Sequence, residues 1–372
     1  MTEMRQCWNR QTGTFEGRVS LTYGFKSRLP HHGWARSEKS LRALFRSQAN
    51  APLPPRQNGG RRIRKEETVF FYDIDGITFP LRERRDLSWL RGMGRVFAVF
   101  SQNDSGNISF GVENGTGRYF LKVAGLKTAE AACSPQQAVR ALQAAVPAYT
   151  AIRHPNLIRL RRHFSHDGLY LAVFDWAEGE CLFDHWNFDA YRADPRLLPP
   201  ASRYRQLPPG RRAASCDVLF SFLSAAAASG YVAVDFYDGS VLYDFSTHTT
   251  TVCDIDLFRK RPAVNDLGAE FPGSKRVKAP EEYRLGAVLD ERTNVFAMGA
   301  LLFHFFGRFS EAELRAMYGE SRFFPCSPGN WELNEACYAA ACRAVSPGRD
   351  ERYPTVAAFW DAWRRALPPG LL

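Results

Sequence analysis

No Cys-x-x-Cys pair occurs among the eight cysteines, and no nearby set of histidines completes a ligand group. That scatter argues against a structural zinc site or a disulfide framework and leaves reduced thiols of a cytoplasmic protein as the expectation. Apolar runs of the roughly 18 to 20 residues that a membrane span needs are also missing. The longest charge-free stretch, Val218 to Val234, is interrupted by Ser221, Ser224, Ser229 and Gly230 and reads as a buried helix running into a strand. The N-terminus has no apolar core of the signal-peptide kind, so secretion is not expected. No internal repeat is found. What is present, 45% hydrophobic and 24% charged residues in 372, is globular composition with material for one large domain or two ordinary ones.

The net charge of +10 is unevenly placed. Residues 1–66 hold 14 Lys and Arg against 4 Asp and Glu, while the remaining 306 hold 35 of each. The body is neutral, so nucleic acid is not an expected partner; the basic tail could at most anchor non-specifically to nucleic acid or anionic lipid. Residues 1–66 lack sustained apolar periodicity and contain Pro52-Leu-Pro-Pro55, Gly59-Gly60 and Arg61-Arg62-Ile-Arg64-Lys65. They read as a mostly disordered tail with one short helix over 37–47. The segment Trp8 to Leu21 resembles a translated transfer-RNA gene region, as a start codon assigned too far upstream would produce. No function is rested on it.

From Thr68 the pattern becomes regular. Val69 to Gly76 and Val96 to Phe100 read as strands, and Ile108–Val112 with Tyr119–Val123 as a hairpin around Asn114-Gly-Thr-Gly117. Ser134 to Arg153 has helical periodicity, and Leu169 to Trp176 is an apolar strand. Beyond Pro208 the chain is mainly helical, with strands expected near 231–234, 241–243 and 251–255. Strands first and helices later suggest two lobes, about 67–175 and about 178–372.

Pairing across Asn114–Gly117 sets Lys122 opposite, or within two residues of, Ser109 to Gly111. A glycine-containing turn lets backbone N–H groups approach phosphate oxygens, and a lysine adds a point charge beside them. The same glycines could serve only a backbone turn. Further segments follow in order: His154-Pro-Asn-Leu-Ile158, Tyr170 to Gly179, Val232-Ala-Val-Asp-Phe-Tyr-Asp-Gly-Ser-Val-Leu242, Val252-Cys-Asp-Ile-Asp256, Ala279-Pro-Glu-Glu282 and Ser346 to Thr355.

Over about residues 69–366 this succession resembles the protein kinase superfamily, and within it divergent bacterial serine/threonine protein kinases. The resemblance implies an α+β, two-lobed protein-kinase-like fold with a small β-rich N-lobe and a larger helical C-lobe. It implies ATP, magnesium (or manganese in its place) and transfer of the γ-phosphoryl group to a Ser/Thr hydroxyl of a protein partner. Asp235 then orients and deprotonates the acceptor hydroxyl, and Lys122 holds the phosphates. Asp254 binds the metal, Ser240 stands where a second metal-binding asparagine is usual, and Asp256 or Asp238 would compensate for its weaker hydroxyl. Gly106, Ile108, Ser109, Phe110 and Gly111 would cover the phosphates. Asp175 and Ala177 would offer backbone groups to adenine, with Phe174 at the back of the pocket and Leu242 as its floor. Glu281 would form a buried ion pair with Arg352, and Asn294 would support the catalytic loop from below.

The sequence departs from the family pattern in several places. Tyr237 replaces the lysine that steadies the transferring phosphate, and Val234 replaces the arginine that reads an activation-loop phosphate. Ala145 stands where a glutamate should pair with Lys122, which leaves Lys122 to pair directly with Asp254 or the phosphates. Ser274 is the one hydroxyl residue between Asp254 and Glu281, and phosphorylation there is not expected to gate activity. A small-molecule kinase of the aminoglycoside/choline phosphotransferase type, favoured by Tyr237 and the Asp-x-Asp pair, is one alternative. A nucleotide-binding pseudokinase, favoured by Ala145 and Ser240, is the other.

Overall fold

The computed structural model describes residues 68–371, and the expectations for residues 1–66 lie outside them. Two strands, β1 (Phe70–Ile74) and β2 (Ile77–Leu81), pair through Asp75-Gly76. Both turn residues have positive φ, as a two-residue hairpin turn following the strand twist requires. A five-stranded antiparallel sheet follows, built from β3 (Arg95–Phe100), β4 (Asn107–Asn114), β5 (Gly117–Ala124), β6 (Leu160–His166) and β7 (Leu169–Asp175). Its spatial order is β3-β4-β5-β7-β6.

Period-2 alternation divides the sheet. Ile108, Phe110, Val112, Leu121, Val123, Leu171 and Val173 pack with Phe79 and Leu81 from the β1–β2 hairpin into one core. The opposite face carries Ala124, Tyr170, Ala172 and Phe174 and packs on α1 (Pro135–Ala151), which joins the main core of the C-lobe. Ser134 caps α1 through a reciprocal bond with Gln137, and Pro135 sits in the first turn, where its missing N–H costs nothing. Ala138, Leu142, Ala145, Val146 and Tyr149 form the buried stripe of this helix.

After the crossover at 176–179 the chain enters the C-lobe. β8 (Glu180–Cys181) leads to α2 (Phe188–Ala193), α3 (Pro200–Arg205) and the long α4 (Pro209–Ala228). Then come β9 (Tyr231–Val232), β10 (Val241–Asp244) and β11 (Thr249–Val252), with β10 pairing both β8 and β11. Short pairs β12 (Arg259–Lys260) with β9, and β13 (Ala263–Val264) with β14 (Val288–Leu289), hold the segment that follows. Four helices complete the lobe: α5 (Glu291–Phe306), α6 (Glu311–Glu320), α7 (Glu335–Ala344) and α8 (Val356–Ala366). Nearly every side chain of α5 is buried, so this helix is the axis of the lobe. The result is the expected α+β, two-lobed architecture.

Two expectations are corrected in detail. The strand anticipated at 251–255 is β11, which ends at Val252, so Asp254 and Asp256 leave on a loop. The strand read over Ile108–Val112 lies within β4, so the glycines at 106 and 111 do not belong to one turn. Only Gly106 (φ 77°) closes the turn after β3, and the residues from Asn107 onward are strand β4. Strands β2 and β6 were not anticipated. β2 contains Pro80, and β6 alternates no apolar residues. Among the described residues no helix is long and apolar enough to cross a membrane, and the described cysteines are free thiols.

Candidate active site

Hairpin register sets the first group. Asn114 pairs with Gly117, which puts Ser109 across from Lys122, and Lys122 across from Ala172 of β7. The lysine therefore stands on the face of the sheet turned toward the C-lobe. There its Nζ lies 3.2 Å from Asp254 Oδ1 and 2.7 Å from Asp256 Oδ2. Burial alone would lower the ammonium's pKa; the two carboxylates more than offset this, and it is raised above the ordinary lysine value. Asp254 is raised above the ordinary carboxylate value, first by burial and then by Asp256, against the pull of Lys122.

The direct pairing of Lys122 with Asp254 is thus present, and a residue missed in the sequence completes it. Ala145 is buried and apolar, but one turn later on α1 the Tyr149 hydroxyl donates to Asp256 Oδ1 at 2.8 Å. The same hydroxyl accepts the Ile255 amide at 3.2 Å. Tyr149 links helix to loop, the connection that the resemblance would assign to a glutamate at position 145. In the sequence it reads as one more apolar position of the helix stripe, and nothing local marks its hydroxyl.

Asp235 follows β9 in a left-handed backbone conformation (φ 59°), which aspartate tolerates better than most residues. Its Oδ1 accepts the Ser274 amide at 2.8 Å. Burial pushes its pKa up, Asp254 and Asp104 push it further, and the net value is about 7 despite the Ser274 bond and Lys278. A carboxyl poised there can take a proton from a hydroxyl near neutral pH. From below, Asn294 Oδ1 accepts the Ala233 amide at 2.8 Å, fixing the chain that leads into Asp235.

The remaining loop residues divide into two roles. Ser240 donates to the Asp235 carbonyl at 3.4 Å, and its own carbonyl accepts the Cys253 amide at 2.9 Å, which ties the two acidic loops together. Asp238 does not compensate for Ser240, because both its oxygens are held by the Arg276 guanidinium. Burial raises the Asp238 pKa and Arg276 more than reverses this, so the carboxyl lies below its ordinary value.

A divalent cation held with phosphates would need hard oxygen donors at the cleft. Asp254 fits: Lys122 engages its Oδ1 and not its Oδ2. Asp256 fits less well, since Lys122 takes one oxygen and Tyr149 the other. Among the described residues no group of three or more His, Cys, Asp or Glu is arranged to hold a metal by itself.

The anticipated nucleotide contacts are partly brought together. Phe174 is buried and packs against the Tyr149 ring at 4.9 Å between centroids. Leu242 lies on the side of β10 opposite the buried Val241 and Tyr243, as a cleft floor would. In the crossover the Asp175 amide goes to Arg159 O and the Trp176 amide to Arg118 O, both at 3.0 Å, and Ala177 follows, half-buried. Ser109 shares the cleft face with Lys122. Ile108 and Phe110 are corrected: strand alternation turns both into the core above the sheet, away from the cleft. Gly111 lies on the cleft face but is covered, since a Cβ there would come within 2.9 Å of the Phe97 and Trp176 rings. Phe120, two residues before Lys122, adds a ring to this wall, 5.9 Å from Phe100 and 6.5 Å from Trp176.

The buried pair also forms. Arg352 donates to Glu281 Oε1 at 2.7 Å and Oε2 at 2.9 Å, and neither side chain is exposed. It pins the end of the 254–281 segment to the C-lobe.

No family model matches the chain, and a search of the curated proteins finds no match. Among solved structures, the fold is similar to that of PK-1, the kinase of Cydia pomonella granulovirus, with a TM-score of 0.54 at 14% identity. The match covers 73% of this chain and 94% of that one. Two lobes, a sheet lysine reaching a loop aspartate, and this likeness together show that the chain has the protein-kinase fold.

Proposed function

We propose that the protein is an ATP- and magnesium-dependent phosphotransferase that moves the γ-phosphoryl group to a Ser/Thr hydroxyl of a protein. The observation that carries this reading is the meeting of Lys122 from the N-lobe sheet with Asp254 from the C-lobe loop, beside an Asp235 whose pKa is about 7. Phosphoryl transfer asks a protein mainly to position its reactants and stabilise charge. Lys122 would hold phosphate oxygens, and Asp254 would hold the cation. Asp235, fixed by the Ser274 amide, would orient the hydroxyl and accept its proton. When bound, magnesium would neutralise charge on the phosphates. The narrower likeness to bacterial serine/threonine kinases belongs to this proposal, as does a protein acceptor. The ordered 254–281 segment, closed by the Glu281–Arg352 pair, supports an acceptor large enough to lie along it.

A second reading, a nucleotide-binding pseudokinase, is favoured by one observation: both oxygens of Asp256 are engaged within the protein, leaving Asp254 as the open carboxylate. The test uses the full chain with γ-labelled ATP, magnesium or manganese, and a generic basic protein. Acid-stable label on protein that disappears in Asp254→Ala supports the protein kinase. Asp254-dependent ATP hydrolysis without label points to a small-molecule acceptor. Neither, with ATP still raising the melting temperature, sinks the phosphotransferase reading in favour of the pseudokinase.

A further inference from the structure

The segment between Asp254 and Glu281 touches the catalytic loop twice. The Ser274 amide holds Asp235 Oδ1, and two residues later the Arg276 guanidinium closes on Asp238. Arg276 Nη1 lies 2.9 Å from Asp238 Oδ2, and Nη2 binds Oδ1, so both oxygens are taken by one planar fork. The cation also sits 4.3 Å from the centroid of the Phe183 ring and 5.8 Å from that of Tyr237. Side-chain exposure is 13% for Arg276 and 8% for Asp238, so water competes little for the pair. The backbone is secured as well, because His304 Nε2 donates to the Arg276 carbonyl at 3.0 Å.

These contacts have a direction. Asp235 and Asp238 belong to the same short loop, and Ser274 and Arg276 to the same short stretch of the opposing segment. A two-pronged ion pair fixes orientation as well as distance. It therefore sets the register at which the Ser274 amide reaches the Asp235 carboxylate. We infer that Arg276 is a positioning residue: its pair with Asp238 fastens the 271–278 segment to the catalytic loop in the unmodified chain, so the site needs no phosphate on that segment. The inference rests on the phosphotransferase reading for its catalytic consequence. The fastening is opposite in polarity to one made by a phosphate, because here the segment supplies the cation and the loop the anion. Ser274, the only hydroxyl residue between Asp254 and Glu281, already spends its amide on Asp235. A phosphate there would add negative charge to the residue whose amide the Asp235 carboxylate already holds.

Trypsin reads the fastening without reference to turnover, since Lys275, Arg276 and Lys278 are its cleavage sites. Asp238→Asn keeps all of them and nearly the same shape. In the full chain, cleavage within 275–278 is expected to be slow before and after phosphatase treatment. In Asp238→Asn it should be about ten-fold faster, because local opening becomes easier. The same variant should lose about ten-fold in kcat with KM for ATP nearly unchanged. Arg276→Gln should behave alike, and Arg276→Lys, a point charge without the fork, should recover only part. A segment that stays resistant in Asp238→Asn overturns the inference, and so does a wild-type segment released by phosphatase. Wild-type turnover that survives in Asp238→Asn overturns the positioning role while leaving the phosphotransferase standing. Absence of Asp235-dependent turnover in the wild type removes the phosphotransferase reading and the positioning role with it.

Discussion

The Tyr149 hydroxyl bridges helix α1 to the loop of Asp254 and Asp256, donating to Asp256 Oδ1 at 2.8 Å and accepting the Ile255 amide at 3.2 Å. Two buried polar groups depend on one oxygen. Tyr149→Phe leaves both without it while keeping the ring that packs on Phe174. The expected loss is about 1–3 kcal/mol, the cost of stranding such groups. Under the proposed function, ATP with magnesium should also raise the melting temperature less than in the wild type, because the carboxylates facing Lys122 lose their tether. Thermal melts with and without nucleotide check both parts. A variant that melts and responds like the wild type would show that Asp256 is held by Lys122 alone.

The Glu281–Arg352 pair is a stability feature far from the chemistry. Thr293 donates to Glu281 Oε1 at 2.9 Å, and Arg352 also donates to the Ser346 carbonyl at 2.8 Å. Removing one partner strands a charge in a site with no solvent access, at about 3–5 kcal/mol. Glu281→Gln or Arg352→Met should each lower the melting temperature by roughly 10 °C for a domain of this size. Glu281→Leu combined with Arg352→Met should cost less than the two single losses added, since no lone charge remains. Additive losses would contradict a coupled pair.

Asp235 gives a pH-dependent expectation of opposite sign to a stabilising ion pair. Its folded pKa, about 7, lies above the ordinary aspartate value of 3.8. The folded chain therefore binds more protons than the unfolded chain between those two values. Stability contributed by this group falls as pH rises through that window and levels off above about 7. Asp235→Asn removes the buried charge, and asparagine accepts the same left-handed backbone. In metal-free protein the variant should be more stable than the wild type at pH 8, by a larger margin than at pH 5. Melting temperatures at the two pH values decide it, and a margin larger at pH 5 would refute the raised pKa.

How much of this was legible in the sequence depends on the range of each signal. Lys122 and Ser109 could be paired by counting outward from Asn114–Gly117, because a hairpin fixes its own register. Asp235 and Asp254 could be picked out because each ends an apolar stretch, and Glu281 with Arg352 through the family resemblance. Two readings failed for local reasons. Gly106 and Gly111 together suggested a phosphate-covering turn, although Gly111 lies within the strand read over Ile108–Val112, which has Ile108, Phe110 and Val112 in the core. Thr249–Val252 reads on to Ile255 because Ile255 is apolar, although it is buried from a loop. Other features carry no local mark at all. Tyr149 and Asp256 are separated by 107 residues, and Arg276 and Asp238 by 38. Such pairs exist only once the chain has folded.

Gly179 offers a test of how the crossover is held over the cleft. Its φ of +117° is one that L side chains rarely adopt, and a Cβ there would lie 2.9 Å from the Asp244 amide nitrogen and the Tyr243 carbonyl carbon. Those neighbours are backbone atoms of β10 and cannot rotate aside. The next residues, Glu180 and Cys181, pair with Tyr243 and Leu242, so Gly179 sets the distance between the crossover and β10. Gly179→Ala should cost about 1–3 kcal/mol through backbone strain and overpacking. Under the proposed function it should also weaken ATP binding, because β8 must move away from Leu242. Gly115 is the control: it lies in the β4–β5 turn without a positive φ, and a methyl group there would meet nothing within 4 Å. Gly115→Ala should change stability by less than about 0.5 kcal/mol. If both variants melt together with the wild type, the close approach of Gly179 to β10 does not hold the crossover in place.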